Sequence, residues 1–440
     1  MRKFWLGYWF KNWYFIYKIG HAIVIAGSRT YFKNFKYLGK EKIPKNAGII
    51  FAMNHQNAFL DPIVIAGQTF APINFLARAD IFKNKLAGKL LRQLYLLPIY
   101  RQRDGVDTIT KNQKTFEDCY DILKEKRNLI IFPEGNHNFK KNLRTLKKGV
   151  SRIALGAMKK YGKNIPLYIV PMGIDYENHF SMNADILINV GDPINISDYY
   201  GESVKNSAEA TNKLTTRVED KLKDLLINIS DSENYNDIYY LLHRFPLKSK
   251  KVEEKFFERK NLLNKINALK ESHFNKYEEL ISDVEEVKSF VTKHKLRPYL
   301  FTKPTISLFK FSLVSLMLTI LLPFHLFMLT TNYLPYKIPV WFVENKIKDK
   351  HFHSSLKMAL GVLFFFIYWF LLLLIILISM GWKFTLLSAV LLPVFAKINF
   401  NYWIQFIKIK GAWNYRKATK KKEFINAKIA FENIKKTLEF

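Results

Sequence analysis

Between about residues 39 and 200, short apolar runs alternate with amphipathic stretches. Runs at 49–53, 73–76, 97–100, 128–132, 167–171 and 186–190 have the length of buried strands. Helical patterns lie between several of them, at 80–94, 107–126 and 148–160. The alternation predicts an α/β domain with a mixed or largely parallel sheet. Chemistry in such sheets collects at the carboxyl ends of the strands. His55, Arg101, Glu134 and Gly173 each fall just after an apolar run, so they are expected to converge on one edge.

The pattern changes twice further on. Residues 203–300 carry helical periodicity with dense charge of both signs, as in Lys250-Lys251-Val252-Glu253-Glu254-Lys255, which reads as solvated helix faces without chemistry of their own. From about 305 the chain turns apolar. Residues 358–380 form 23 positions without a charge, enough to cross a hydrocarbon core that needs about 20. Residues 311–333 are equally free of charge but hold Pro323 and His325, and 384–396 are only thirteen residues. The linker with Lys337, Lys346, Lys348 and Lys350 is basic, as is the stretch after 405, with ten Lys/Arg against three Glu. Short basic segments stay cytoplasmic. That favours 311–333 dipping in and returning at Pro323, with 358–396 a hairpin turning at Gly381-Trp382-Lys383, over three full crossings. The division predicted is 1–38, 39–230, 231–304, 305–404 and 405–440, the last a basic cytoplasmic tail.

Charge narrows the class of partner. The formal net charge is +32, which suits nucleic acid or an anionic membrane. Residues 1–40 hold eight Lys/Arg, no Asp or Glu, and thirteen aromatics. Trp and Tyr beside snorkelling cations is bilayer-interface chemistry, and with the uncharged stretches it sets nucleic acid aside in favour of anionic membrane lipids. Lys11 and Lys18 interrupt the first hydrophobic run, so it does not read as a cleaved signal peptide. One cysteine, Cys119, excludes an intramolecular disulfide and reads as a small buried residue in the helix over 107–126. The histidines other than His55 and His137 are too scattered for a ligand set, and no Walker-type loop occurs, so neither a metal nor nucleotide hydrolysis is expected. The excess of Lys over Arg hints at an A/T-biased bacterial source.

The chemistry-bearing stretch is Asn54-His55-Gln56-Asn57-Ala58-Phe59-Leu60-Asp61, directly after the run at 48–53, with Phe132-Pro133-Glu134-Gly135 downstream. A His at a strand mouth with an Asp a short turn on is the minimum set for drawing a proton off a hydroxyl. The Asp fixes the tautomer and stabilises the imidazolium. No Gly-x-Ser-x-Gly elbow accompanies it, so the attacking hydroxyl is assigned to the substrate. Asp61 also reads as a helix N-cap ahead of Pro62 at the first helical position.

Four blocks in order resemble the glycerol-3-phosphate and lysophosphatidic acid acyltransferase superfamily: His55 to Asp61, Leu97-Pro98-Ile99-Tyr100-Arg101, Phe132 to Gly135, and Tyr168-Ile169-Val170-Pro171-Met172-Gly173. They cover about residues 40–200. Two features depart from the common pattern: five residues separate His55 from Asp61 instead of four, and Gly135 is followed by Asn136-His137-Asn138 rather than Thr or Ser and Arg. Both resemble the branch near fungal glycerol-3-phosphate/dihydroxyacetone-phosphate acyltransferases.

The resemblance implies an acyltransferase domain with an N-terminal interfacial helix docking residues 5–26, a C-terminal helical membrane region, and a thioester donor, acyl-CoA or acyl carrier protein, without a cofactor. His55 is then the general base and Asp61 its orienting partner. Arg101 or Arg103 grips the acceptor phosphate, since a guanidinium fork matches phosphate oxygens; the two share one face of an extended stretch and sequence does not separate them. Glu134 and Gly135 resemble the acceptor-binding block. His137, Arg144, Lys147 and Lys148 follow in a segment resembling the family's basic stretch, and Pro171 would shape the floor of the site. The expected reaction is acylation of 1-acyl-glycerol-3-phosphate to phosphatidate at a bacterial inner membrane, the site facing the cytoplasm. Glycerol-3-phosphate or dihydroxyacetone-phosphate acylation, another lysolipid or aminolipid acceptor, and a non-catalytic lipid-binding scaffold are the alternatives.

Overall fold

A computed structural model describes residues 15–67, 72–100, 108–179, 182–301 and 306–439. The chain divides into two units, Met1–Asn228 and Ile229–Phe440.

The first unit is built on an eight-stranded sheet. Its strands are β1 (Asn34–Leu38), β2 (Gly48–Met53), β3 (Ile73–Arg78), β4 (Leu96–Ile99), β5 (Asn128–Ile131), β6 (Leu167–Tyr176), β7 (Asp185–Val190) and β8 (Ile194–Asn195). The order is β1-β7-β6-β2-β5-β3-β4, with β8 pairing β6. Pairing is parallel except where β7 and β8 meet β6. This is the mixed, largely parallel sheet that the alternating pattern predicts. Helices α1 (Phe15–Tyr31), α2 (Leu60–Ala66), α3 (Lys85–Gln93), α4 (Thr108–Lys124), α5 (Gly149–Tyr161), α6 (Tyr200–Lys205) and α7 (Ser207–Asp224) accompany it. Every residue of β2 is buried, as befits a strand with neighbours on both edges and cover on both faces. The core on one side joins Ile50 and Ala52 of β2 to Cys119 and Leu123 of α4, Ile153 and Ala157 of α5, and Leu214 and Val218 of α7. Burial pushes the Cys119 thiol up to about 12, so it stays a neutral packing group.

β6 runs ten residues, through Pro171 and Gly173 to Tyr176, so Gly173 lies within a strand and not after one. Pro171 sits where the β6 edge passes from β8, paired at Tyr168 and Ile169, to β7, paired from Met172 onward. Its missing N–H falls where neither neighbour asks for one. A Cβ on Gly173 would stand 2.6 Å from the Leu225 carbonyl oxygen.

The second unit holds α8 (Tyr235–Arg244), α9 (Val252–Ser272), α10 (Phe274–Lys293), α11 (Leu308–Lys346), α12 (His353–Met380), α13 (Trp382–Ala418) and α14 (Glu423–Leu438). Helices α11, α12 and α13 are long and apolar enough to cross a membrane. They leave large apolar side chains such as Phe324, Phe366, Ile378 and Val390 exposed. No break in the helix marks the expected return at Pro323. α11 is continuous over 39 residues with Pro323, Pro335 and Pro339 inside it; a helical proline costs a hydrogen bond and does not by itself reverse the chain. α12 runs antiparallel to α11, with Tyr368 donating to the Thr330 carbonyl at 2.7 Å and Lys357 paired to Glu344 at 2.8 Å. Gly381, at φ 82°, separates α12 from α13. The stretch expected to be short, 384–396, is part of a 37-residue helix. Beyond 405 the chain stays helical, and α14 packs on α10 through Phe424 and the Lys293–Glu423 pair at 2.7 Å, and on Phe245, just after α8, through Phe431.

Candidate active site

β2 ends at Met53, and Asn54 extends its pairing by proxy. The Asn54 side chain accepts from Ile174 N at 2.7 Å and donates to Ile174 O at 3.0 Å, doing for β6 what a backbone rung would do. The chain then leaves the sheet, presenting His55 at the carboxyl end of β2. The turn Phe132 to Gly135, at the carboxyl end of β5, meets it. His55 N donates to Glu134 Oε1 at 2.8 Å, and Asn138 N donates to the His55 carbonyl at 3.0 Å. Gly135 takes φ 71°, a left-handed conformation that favours glycine, so the block needs its Gly for the turn.

The five-residue spacer closes well. His55 Nδ1 donates to Asp61 Oδ2 at 2.8 Å. Asp61 is fully buried, and its carboxylate also accepts from Gln56 N at 2.9 Å, Asn57 N at 2.8 Å and Tyr176 Oη at 2.6 Å. It is not the helix N-cap. α2 begins one residue earlier, at Leu60, with Phe59 in the cap position, and Asp61 points back to gather the N–H groups of the turn before it. The extra residue of the spacer is therefore absorbed by a loop folded around the carboxylate.

Neighbouring side chains complete this arrangement, and three of them, Tyr176, His179 and Lys141, carried no motif. The Phe132 ring stacks on the His55 imidazole with centroids 4.0 Å apart, and His137 meets it edge-on at 5.5 Å. Burial and the neighbouring Asp61 charge push the Tyr176 phenol well above its ordinary pKa, which keeps it a hydrogen-bond donor. His179, also buried, donates from Nε2 to Gln56 Oε1 at 3.0 Å, and burial followed by the nearby Lys141 charge lowers its pKa to about 3. Lys141 is buried as well; it pairs with Asp175 and donates to the Tyr176 carbonyl at 3.0 Å, anchoring the end of β6 that carries Tyr176. The available signal for Tyr176 was its place at the end of the long run following Pro171, but nothing in the sequence says which strand-end hydroxyl reaches a carboxylate 115 positions away.

The remaining expected residues divide. Both Glu134 oxygens are engaged by the chain itself, Oε1 by His55 N and Oε2 by Arg144 Nε at 3.2 Å. Arg144 thus faces Glu134 and the Asn136 carbonyl. Lys147 N donates to the Pro133 carbonyl at 2.7 Å, and Lys148 is exposed just before α5. Arg101 and Arg103 lie outside the described residues. A small polar cleft beside the turn is lined by Asn54, Gln56, Glu134, Asn138, Lys140 and Asn142, with Leu143, Leu226 and Ile227. Among the described residues no group of three or more His, Cys, Asp or Glu is placed to hold a metal.

A buried carboxylate orienting a strand-end histidine beside a Pro-Glu-Gly turn is the centre of the candidate site. Residues 34–175 match the model of the Acyltransferase family, and this part of the chain is an acyltransferase-family domain. The chain is 31% identical over 121 residues to glycerol-3-phosphate O-acyltransferase 2 of Saccharomyces cerevisiae, covering 27% of this chain and 16% of that one. It is 25% identical over 196 residues to 1-acyl-sn-glycerol-3-phosphate acyltransferase of Bacillus subtilis, covering 43% of this chain and 90% of that one. Among solved structures it is similar to the 1-acyl-sn-glycerophosphate acyltransferase of Thermotoga maritima, at 21% identity and a TM-score of 0.31 over 44% of this chain and 77% of that one. The chain therefore spans most of the bacterial relative and about one sixth of the yeast one.

Proposed function

We propose that the chain is a membrane-bound O-acyltransferase that moves a fatty acyl group from a thioester, acyl-CoA or acyl carrier protein, to the free hydroxyl of 1-acyl-sn-glycerol-3-phosphate, giving phosphatidate. The observation that carries this reading is the 2.8 Å bond from His55 Nδ1 to Asp61 Oδ2 beside the Glu134 turn. With Nδ1 committed to Asp61, Nε2 is the nitrogen left to take the hydroxyl proton. The alkoxide oxygen attacks the thioester carbonyl, the tetrahedral intermediate collapses, and the C–S bond breaks. The proton held on Nε2 returns to the leaving sulfur, and Asp61 stabilises the imidazolium in between without being protonated. Phe132 holds the plane of the ring, and Glu134 with Arg144 fixes the turn on which His55 is hung. Arg101 or Arg103 is the proposed grip on the acceptor phosphate. Residues 39–230 are the proposed catalytic domain, anchored by 305–404 with the site toward the cytoplasm of a bacterial inner membrane.

Glycerol-3-phosphate is the second reading, favoured by the identity to the yeast glycerol-3-phosphate enzyme. Thioester cleavage by detergent-purified protein, with each acceptor in parallel and a His55→Ala control, separates the two. Product with lysophosphatidate alone supports the first, and product with glycerol-3-phosphate the second. Loss of roughly 10²- to 10⁴-fold in His55→Ala is expected for a general base. Acyl transfer unaffected by that change, or absent with both acceptors, would overturn the proposal.

A further inference from the structure

We propose that α3 is an interfacial helix that seats the first unit on an anionic lipid surface. The helix is short and firmly started: the Asn84 side chain accepts from Leu86 N and Ala87 N at 3.0 and 3.1 Å. It packs inward through Gly88, where a Cβ would stand 3.0 Å from the Phe82 carbonyl. Its outward face is the unusual part. Leu86 is 81% exposed, more than any other large apolar residue among the described part of the first unit, and Leu90 is 44% exposed. Four residues apart, they lie one above the other on a single face. Lys85 and Lys89 form the neighbouring stripe, Arg92 continues it, Lys83 precedes it, and all four cations are exposed. The helix contains no carboxylate, and the nearest one in sequence, Asp80, is held by Arg78.

Scattered exposed leucines need no explanation, but a leucine stripe flanked by exposed cations on a helix without a carboxylate does. Such a face fits a bilayer boundary: the leucines enter among the acyl chains while Lys and Arg reach up to lipid phosphates. Charge complementarity selects an anionic surface over a neutral one. This stretch lies outside the aromatic N-terminal segment in sequence, and its insertion would bring the first unit to a lipid surface. It does not depend on which acceptor the enzyme takes.

The test uses the full chain reconstituted in vesicles, with Leu86→Cys carrying a polarity-sensitive fluorophore; the native thiol, Cys119, is buried. In phosphatidylglycerol vesicles the probe should shift to the blue, be quenched by a nitroxide on the lipid chain and be shielded from iodide. A probe at the exposed Lys163 should be quenched by iodide. In phosphatidylcholine vesicles, or with Lys85→Glu and Lys89→Glu added, the Leu86 probe should return to water. Iodide quenching at Leu86 equal to that at Lys163, or insertion indifferent to lipid charge, would overturn the proposal. Self-quenching that rises with the protein-to-lipid ratio would assign the face to a second copy instead.

Discussion

At the scale of single residues, the candidate site depends on how one carboxylate is satisfied. Asp61 is buried and takes four donors, and only His55 among them was legible as a partner from the sequence. Gln56 N and Asn57 N come from the turn itself, and Tyr176 comes from the far end of β6. Tyr176→Phe should remove a charge-assisted hydrogen bond, which is worth roughly 1.5–3 kcal/mol. If that bond holds Asp61 in register with His55, kcat should fall roughly 10- to 100-fold with KM little changed. A steady-state assay across pH, in which the variant's profile also moves, distinguishes this from simple loss of folded enzyme. His179 makes a second residue-scale prediction. Its ring is neutral in the fold, with a pKa of about 3, whereas an unfolded histidine binds a proton below about 6.5. The unfolded chain therefore holds more protons between those values, and stability should fall by up to about 1.4 kcal/mol per unit as pH drops through that window, with no contribution above it. Urea unfolding at stepped pH, comparing wild type with His179→Gln, should show the flatter slope in the variant.

At the scale of elements, positions of strands and helices followed from apolar runs, while their ends did not. The runs at 49–53, 73–76, 128–132 and 186–190 became β2, β3, β5 and β7 within two residues at either end. β1, whose residues are half-exposed, was missed because an edge strand needs no continuous apolar run. β6 runs past Pro171 because its edge changes partner there, which only pairing reveals. Close approach fixes where β2 starts. A Cβ on Gly48 would lie 2.3 Å from the Leu123 carbonyl oxygen at the end of α4. Gly48→Ala should thus destabilise the first unit by about 1–3 kcal/mol, the usual cost of overpacking, and reduce acyl transfer only through the folded fraction. A lower denaturation midpoint with unchanged KM is the expected result.

At the scale of the whole molecule, the second unit has a consequence for topology. Arg416 donates to the Ile306 carbonyl, and Trp413 stacks on Phe311 at 5.5 Å, so the start of α11 and the end of α13 lie together. Three full crossings in series would place those ends on opposite faces of a membrane. Cysteines introduced at Lys310 and Lys417 should therefore label from the same side of sealed vesicles, and labelling from opposite sides would contradict that pairing. The sequence by itself determined the alternation that makes a largely parallel sheet, the apolar lengths that suit a bilayer, and the four ordered blocks, with His55, Asp61, Glu134 and Pro171, that resemble one acyltransferase superfamily. Those are local properties, set by periodicity, turn chemistry and spacing. Only the tertiary structure decided that a five-residue spacer still closes the His55 to Asp61 bond, that Glu134 faces Arg144 and its own turn, and that Tyr176, Lys141 and His179 belong to the site. The last of those depends on strands far apart in sequence meeting at one end of the sheet, where a buried polar group must find its partners wherever the fold puts them.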